Sequence, residues 1–505
     1  MSRLRANVVA NFAGQIVVSV IQFAIIPQYV RYLGVEAYGL VGFFLTLQAM
    51  LQVLDLGVSP SVNRELAWYS ASPDKSAEAC DFVHTLELAY WCVGGLLGGG
   101  VALAAPFVAT HWLAHSTLPT ATVVDAVRMM GLLAAAQWPL TFYQGALLGL
   151  GRHTVLNSVR VSMTLVSAIG AIVLLAQFSP TIGAFFRWQA LASLLYMAAM
   201  ALALWRCLPP APAHPHLNVH LIVGVWRFAA GMTGMTIAGL VLTQADRLVL
   251  SRVAPLEQLG YYAVAGVLGT GLYTVISPIF ASIFPRFSSL VAQGDDETLR
   301  TLYRRSWLVM AALIVPSAAV IGAFSEPLLL LWTQDPSLAR AAAPIASLRV
   351  IGTALNGLMN VPYALQLAHG WTVVPLRINV VLACVAVPMV LWLTPKYGAL
   401  GAAMMWPVIN LIYILVAVPV THRHFPGQTA GRWLWREVGR PVLMSLVVVA
   451  VWRATVPRDA GALVTIGCIF GAWISGELAL VLSSDALRHE MRRYAVRSAG
   501  DAGLI

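Results

Sequence analysis

Charge is what this chain has least of. Only 10% of its 505 residues are Asp, Glu, Lys or Arg, against 59% hydrophobic, whereas a soluble domain carries about 25% charged residues. An ordinary globular domain is thereby excluded, and the chain reads as a polytopic membrane protein. Cysteine is also scarce. The five that occur, Cys80, Cys92, Cys207, Cys384 and Cys468, show no C-x-x-C spacing, so neither a disulfide framework nor a metal site is expected. No G-x-x-x-x-G-K-[ST] occurs, which leaves no ATP motor. The glycines Gly94, Gly95, Gly98, Gly99 and Gly100 lie inside an apolar helix, where they point to close helix packing. The eleven histidines contain no H-E-x-x-H, and His422-x-His424 reads as a solvated pair in a basic loop. No catalytic residue, metal or cofactor is expected, and the chain is not read as an enzyme.

What is abundant is apolar sequence in long runs. Windows of about 20 residues give about fourteen spans. They lie near 8–30, 38–60, 86–110, 126–149, 155–178, 182–206, 221–250, 259–286, 306–332, 341–368, 373–394, 398–421, 438–455 and 462–482. The span near 438–455 is broken by Arg453. Met1 to Arg5 begins basically, like a signal peptide, but the next segment is too long for an h-region and is broken by Asn11, Gln15 and Gln22, so a retained first span is expected. With the N-terminus inside, cytoplasmic segments hold 21 of the 31 Lys and Arg and outer segments the other 10. That excess predicts cytoplasmic N- and C-termini. The net charge of +10 then reports loops facing a cytoplasm rather than nucleic acid.

The chain repeats itself. Val127-Arg128-Met129-Met130-Gly131 is echoed by Leu348-Arg349-Val350-Ile351-Gly352, and Gln137-Trp138-Pro139 by Asn360-Val361-Pro362. Ser179 to Ala184 is echoed by Thr394 to Ala399, and Leu33-Gly34 by Leu259-Gly260. Each echo links a span to the sixth one after it. An even number of spans preserves orientation, so the halves are parallel repeats about an axis along the membrane normal. The division expected is a first lobe at 1–206, a cytoplasmic linker at 207–220 and a second lobe at 221–425. Two extra spans at 426–482 and a basic cytoplasmic tail at 483–505 follow.

Polar groups among lipid tails cost several kcal/mol, so polar stripes on spans mark protein contacts or wet cavities. Asn11, Gln15, Ser19 and Gln22 form one face of the first span, and Arg349, Thr353, Asn356 and Asn360 one face of the tenth. Gln137, Thr141 and Gln144 do the same on the fourth. Two readings stay open, a hydrated cavity lined with sugar-binding amides and hydrogen bonds between helices. Arg349 sits roughly 12 Å into its span at 1.5 Å per residue, with Arg128 as its counterpart in the other lobe. Two guanidinium groups suit an anionic headgroup such as a diphosphate, or else snorkel outward. Asp246-Arg247 lies roughly 28 Å along the helix from Arg227, at the outer end of the seventh span. Together with Arg31 it is a candidate for gating or ion coupling, or for structural pairing. Asp55 and Arg64 flank the inner end of the second span, where packing and loop anchoring are expected.

The wording of Arg31 to Ala67 (RYLGVEAYGLVGFFLTLQAMLQVLDLGVSPSVNRELA) resembles the polysaccharide flippases of the MATE-like MOP superfamily, of the O-antigen-unit or Wzx type. Asp246 to Ala265 (DRLVLSRVAPLEQLGYYAVA), Phe284-Pro285-Arg286 and Pro395 to Ala403 (PKYGALGAA) carry the same resemblance. It implies an all-α fold of two six-helix lobes facing a central cavity, with two added helices. It also implies a flippase in the bacterial inner membrane that loads undecaprenyl-diphosphate-linked oligosaccharide from the inner leaflet. The partners implied are that substrate, membrane lipid, and a polysaccharide polymerase with its chain-length regulator, but no nucleic acid. A lipid II-type flippase and a cation-coupled multidrug antiporter remain as alternatives. The antiporter predicts a carboxylate midway along the first span, which holds only amides. A membrane-embedded polymerase or ligase would need a large outer loop, and no outer loop exceeds about 20 residues.

Overall fold

The computed structural model describes residues 2–55, 58–70, 75–113, 115–209, 215–218, 237–424, 439–457, 461–484 and 488, with side chains from 14 onward except that of Val53 and that of His424. No strand occurs among the described residues. The helices are α1 (Ser2–Leu33), α2 (Val35–Val53), α3 (Val58–Ser70), α4 (Ser76–Phe107), α5 (Thr120–Gly149), α6 (His153–Gln177) and α7 (Ile182–Cys207). A helix at 237–253, here α8, follows. Then come α9 (Leu256–Gly271), α10 (Tyr273–Gln293), α11 (Asp296–Ala323), α12 (Ser325–Thr333), α13 (Pro336–Ala368), α14 (Val373–His424), α15 (Arg440–Thr455) and α16 (Ala462–Ser483). Nine helical stretches among the described residues are long and apolar enough to cross a membrane. The protein is an all-α polytopic membrane protein. The chain divides into two units, Met1–Gly260 and Tyr261–Ile505.

In the first unit α1 packs on α6, α5 on α4 and α7, and α3 on α5. The turn between α1 and α2 is Gly34 alone, at φ 81°, a left-handed backbone that glycine adopts without a Cβ penalty. The expected second span closes early. α2 stops at Val53, and α3 starts at Val58 with Ser61, Val62, Leu66 and Tyr69 turned inward. Asp55 makes this break. Its carboxylate accepts from the Ser59 backbone N–H at 3.2 Å and from the Ser59 hydroxyl at 3.0 Å, satisfying an orphan donor at the start of α3. α4 continues past Pro106, which lacks an N–H, into a π-helical turn at Val108–Trp112.

In the second unit α13 packs against α10, α11, α12 and α14, and the last two helices pack on each other and on α11. The expected eighth span is two helices, α9 and α10, divided at Leu272. α14 holds the eleventh and twelfth spans. Its 52 residues are far more than the roughly 20 that one crossing needs, and it breaks at Gly398 (φ 57°, ψ −135°). A Cβ on Gly401 would sit 2.7 Å from the carbonyl carbon of Leu393. Eight residues of straight helix span about 12 Å, so the chain folds back on itself there. The extra helices are fastened to α11 by Trp473, whose indole N–H donates to Ser317 Oγ at 3.1 Å. Arg453, which breaks the apolar run of α15, donates through Nε to the Ala323 carbonyl at 2.9 Å.

Candidate substrate-binding site

Burying an amide in an apolar helix costs free energy unless it is paired. In the first unit four glutamines from four helices, three half-buried and Gln22 exposed, line one chamber of about 300 Å³. α1 contributes Gln22, α2 Gln48, α5 Gln137 and α7 Gln189. Gln48 Nε2 donates to Gln137 Oε1, and Gln137 Nε2 donates to Ser193 Oγ at 3.2 Å. On the facing wall Ser167 Oγ of α6 donates to Gln189 Oε1 at 2.7 Å. Aromatic faces complete the lining, with Tyr29 edge-on to Phe185 at 4.9 Å between centroids. None of the lining residues is charged.

Two carboxylates of the same unit lie outside this chamber and tie helices together. Asp55 accepts from the Tyr90 hydroxyl of α4. Glu87 of α4 accepts from the Tyr143 hydroxyl of α5 at 2.6 Å and from the Trp205 indole of α7 at 3.0 Å. Each carboxylate thus accepts hydrogen bonds on both of its oxygens. Among the described residues no group of three or more His, Cys, Asp and Glu could hold a metal.

In the second unit the polar stripe of α13 meets its neighbours. Arg349 is buried at 8% exposure. Its Nη1 donates to the Tyr262 hydroxyl of α9 at 2.9 Å, and its guanidinium lies over the same ring at 5.2 Å. Thr353 accepts from the Trp406 indole of α14 at 3.2 Å. Asn356 accepts from the Tyr273 hydroxyl of α10 at 2.9 Å and donates to Asn410 Oδ1 of α14 at 2.8 Å. Asn360 turns back on its own helix, donating to the Asn356 carbonyl at 3.0 Å. The stripe thus joins α9, α10, α13 and α14.

Of the residues singled out from sequence, Gln22 and Gln137 come together at the chamber, and Arg349, Asn356 and Asn360 share the α13 cluster. Gln15, Arg31 and Arg128 are exposed. The side chain of Asn11 lies outside the described residues. Asp246 is buried at 1% exposure and accepts from the Arg247 backbone N–H at 2.8 Å; Arg247 itself is half-buried. Gln48 and Gln189 are additions. Each has a polar residue four positions on, Gln52 after Gln48 and Ser193 after Gln189, the same kind of signal that marked α1. One expectation is corrected. His422 is buried at the end of α14, where Nε2 lies 3.1 Å from the Tyr303 hydroxyl, and it is not solvated in a loop.

Comparison with known proteins places this geometry in a family. The polysaccharide biosynthesis protein family matches residues 4–291, and the MatE family matches residues 232–392. A Shigella flexneri protein named "Putative O-antigen transporter" is 20% identical over 410 residues, covering 80% of this chain and 94% of that protein. Among solved structures, the lipid II flippase MurJ in an inward closed conformation superposes with a TM-score of 0.66 at 13% identity, over 93% of this chain and 97% of that one. An inward-facing multidrug resistance MATE family transporter of the MOP superfamily gives 0.61 at 13% identity, over 81% and 94%. The family match covers more than half of the sequence and the superpositions nearly all of the fold: the chain belongs to the polysaccharide biosynthesis protein family and is built on the fold of the MOP-superfamily transporters.

Proposed function

We propose that this protein is a flippase that carries polyprenyl-diphosphate-linked oligosaccharide units across the bacterial inner membrane, for assembly of a surface polysaccharide. The observation that carries the reading is the uncharged, amide-lined chamber of the first unit, in a member of the polysaccharide biosynthesis family. A cation-coupled antiporter calls for a carboxylate in such a place. The chamber has none among its lining residues, and α1 contains no Asp or Glu. Amides and hydroxyls both donate and accept hydrogen bonds, which suits sugar hydroxyls and not a lipophilic drug cation. The name of the Shigella relative points the same way.

Transport proceeds by alternating access of the two repeats, with the polyprenyl tail left in lipid and both termini in the cytoplasm. Guanidinium groups take the diphosphate, and Arg128 and Arg349 are the candidates. Asn11, Gln15, Asn356 and Asn360 are candidates for sugar contacts beside Gln22 and Gln137, and Arg31, Asp246 and Arg247 for gating. Polymerase and chain-length regulator would act downstream. The test is a strain lacking this gene. Accumulation of lipid-linked repeat units with loss of surface polymer is expected; normal polymer with a gain in dye or drug sensitivity would move the protein to the antiporter branch.

A further inference from the structure

We propose that the chamber between α1, α2, α5, α6 and α7 is a glycosyl subsite selective for an uncharged sugar ring. This rests on the flippase reading and goes beyond it by naming what the chamber accepts and rejects.

Protein interiors close on themselves and leave few voids larger than a water molecule. A polar network whose only task were to join helices would follow suit. Here Gln22, Gln48, Gln137 and Gln189 converge from four helices on about 300 Å³ of open space. That lies at the small end of ligand pockets, about 300–1,000 Å³. It suits one or two sugar rings and not a whole repeat unit. The internal bonds Gln48 to Gln137, Gln137 to Ser193 and Ser167 to Gln189 hold three of the four amides in place before a ligand arrives. Each amide has a second donor or acceptor position left to offer. A pyranose presents alternating donors and acceptors around its rim and an apolar C–H face, and the lining holds aromatic side chains, Tyr29, Phe44 and Phe185 among them, beside the amides.

Charge sets the selectivity. A uronate or other acidic sugar would bring a carboxylate out of water into a chamber whose lining holds no Lys or Arg. An unpaired buried charge is costly. An amine-bearing sugar fares no better, because no Asp or Glu lines the chamber either. Neutral hexoses, N-acetylhexosamines and deoxysugars are the class that fits.

The test uses the full chain in lipid nanodiscs and ligand-observed saturation-transfer NMR. The probes are methyl glucoside, N-acetylglucosamine and glucuronate at equal concentration. Saturation of the two neutral sugars is expected, with glucuronate at least tenfold weaker. Gln22→Leu and Gln189→Leu should each weaken the neutral signals at least fivefold. Gln22 is exposed at the chamber rim, so its variant keeps the test informative if Gln189→Leu fails to fold, which a thermal midpoint would reveal. No saturation by either neutral sugar, glucuronate binding equal to glucoside, or wild-type binding by folded Gln22→Leu would each overturn the subsite. If the deletion strain accumulates lipid-linked units but Gln22→Leu restores normal export, the subsite fails and the flippase reading stands. If the deletion strain accumulates none, the flippase reading is what fails.

Discussion

Gly39 and Gly260 face each other's helices at one close crossing. A Cβ on Gly39 would lie 3.0 Å from the Leu256 carbonyl carbon and 3.3 Å from the Gly260 nitrogen, and one on Gly260 would lie 2.8 Å from Val35 Cγ1. The two sites are related by sequence. Val35-Glu36-Ala37-Tyr38-Gly39 and Leu256-Glu257-Gln258-Leu259-Gly260 stand in the register that also aligns Arg128 with Arg349, which pairs Gly260 with Gly39 rather than with Gly34. The first turns of α2 and α9 are therefore two copies of one motif, each using its glycine to admit the other's backbone. Such contact between small residues is the usual device for bringing helices close in a membrane.

Gly39→Ala or Gly260→Ala should accordingly force the crossing apart. Each is expected to lower stability by about 1–3 kcal/mol, the range for overpacking, read as a fall in thermal midpoint in detergent. Because both glycines serve one contact, the double variant should lose less than the two single losses combined. Full additivity would show that they act separately.

The glycine cluster of α4 makes a sharper comparison within one helix. Gly98 packs on α5, where its Cβ would come within 2.6 Å of Ala135 Cβ, and Gly94 faces the Ala135 carbonyl at 3.0 Å, while Gly95, Gly99 and Gly100 open onto free space. Gly98→Ala should destabilise by about 1–3 kcal/mol. Gly99→Ala should be neutral or gain up to about 1 kcal/mol from helix propensity. Equal effects at the two sites would refute the assigned packing face.

Much of this was legible in the sequence because the bilayer restricts backbone to helices. Apolar runs located the helices, and the packing role of the α4 glycines follows from their setting. What was not legible depends on pairing across the fold. The stripe on α13 has the same period as the one on α1, yet Asn356 ends in bonds to Tyr273 and Asn410 while Gln22 opens on a chamber. Periodicity reports which face is polar, not what meets it. The break between α9 and α10 at Leu272 follows Gly269-Thr270-Gly271, a local mark that the apolar window average smooths over. His422 looked solvated because charge follows it, and only Tyr303, on a helix over a hundred residues earlier, brings it inside.

Outside the spans, Asp335 caps α13. Its Oδ1 accepts from the Ser337 hydroxyl at 2.6 Å and from the N–H groups of Ser337 and Leu338 at 2.9 and 3.1 Å. The Ser337 hydroxyl, then the backbone donors, hold its carboxyl below the usual 3.8. A depressed folded value contributes stability that is complete above the unfolded pKa and disappears as pH falls through the folded one. Asp335→Ala should therefore cost about 0.5–2 kcal/mol at neutral pH, as for other N-caps. The gap to wild type should close below about pH 4. A gap that persists in full at pH 3 would place the effect in packing rather than in the ionised cap.

Arg349 and Arg128 stand in equivalent places in the two repeats but in opposite surroundings, and the contrast separates structure from transport. Arg349 is buried against Tyr262. Removing the hydroxyl in Tyr262→Phe leaves a buried charged donor short of an acceptor and should cost about 1–3 kcal/mol. Arg349→Ala should cost more, since it also leaves a cavity. Any loss of export in Arg349→Ala is thus mixed with loss of folded protein. Arg128 is exposed, and surface substitutions usually stay within about 0.5 kcal/mol. Arg128→Ala should keep wild-type amounts of protein and its thermal midpoint while surface polymer falls and lipid-linked units accumulate. Arg128→Lys keeps the charge but not the bidentate fork, so it should restore export only in part. Wild-type export by Arg128→Ala would remove it from the diphosphate contacts and leave Arg349, its export measured per amount of folded protein, as the remaining candidate cation.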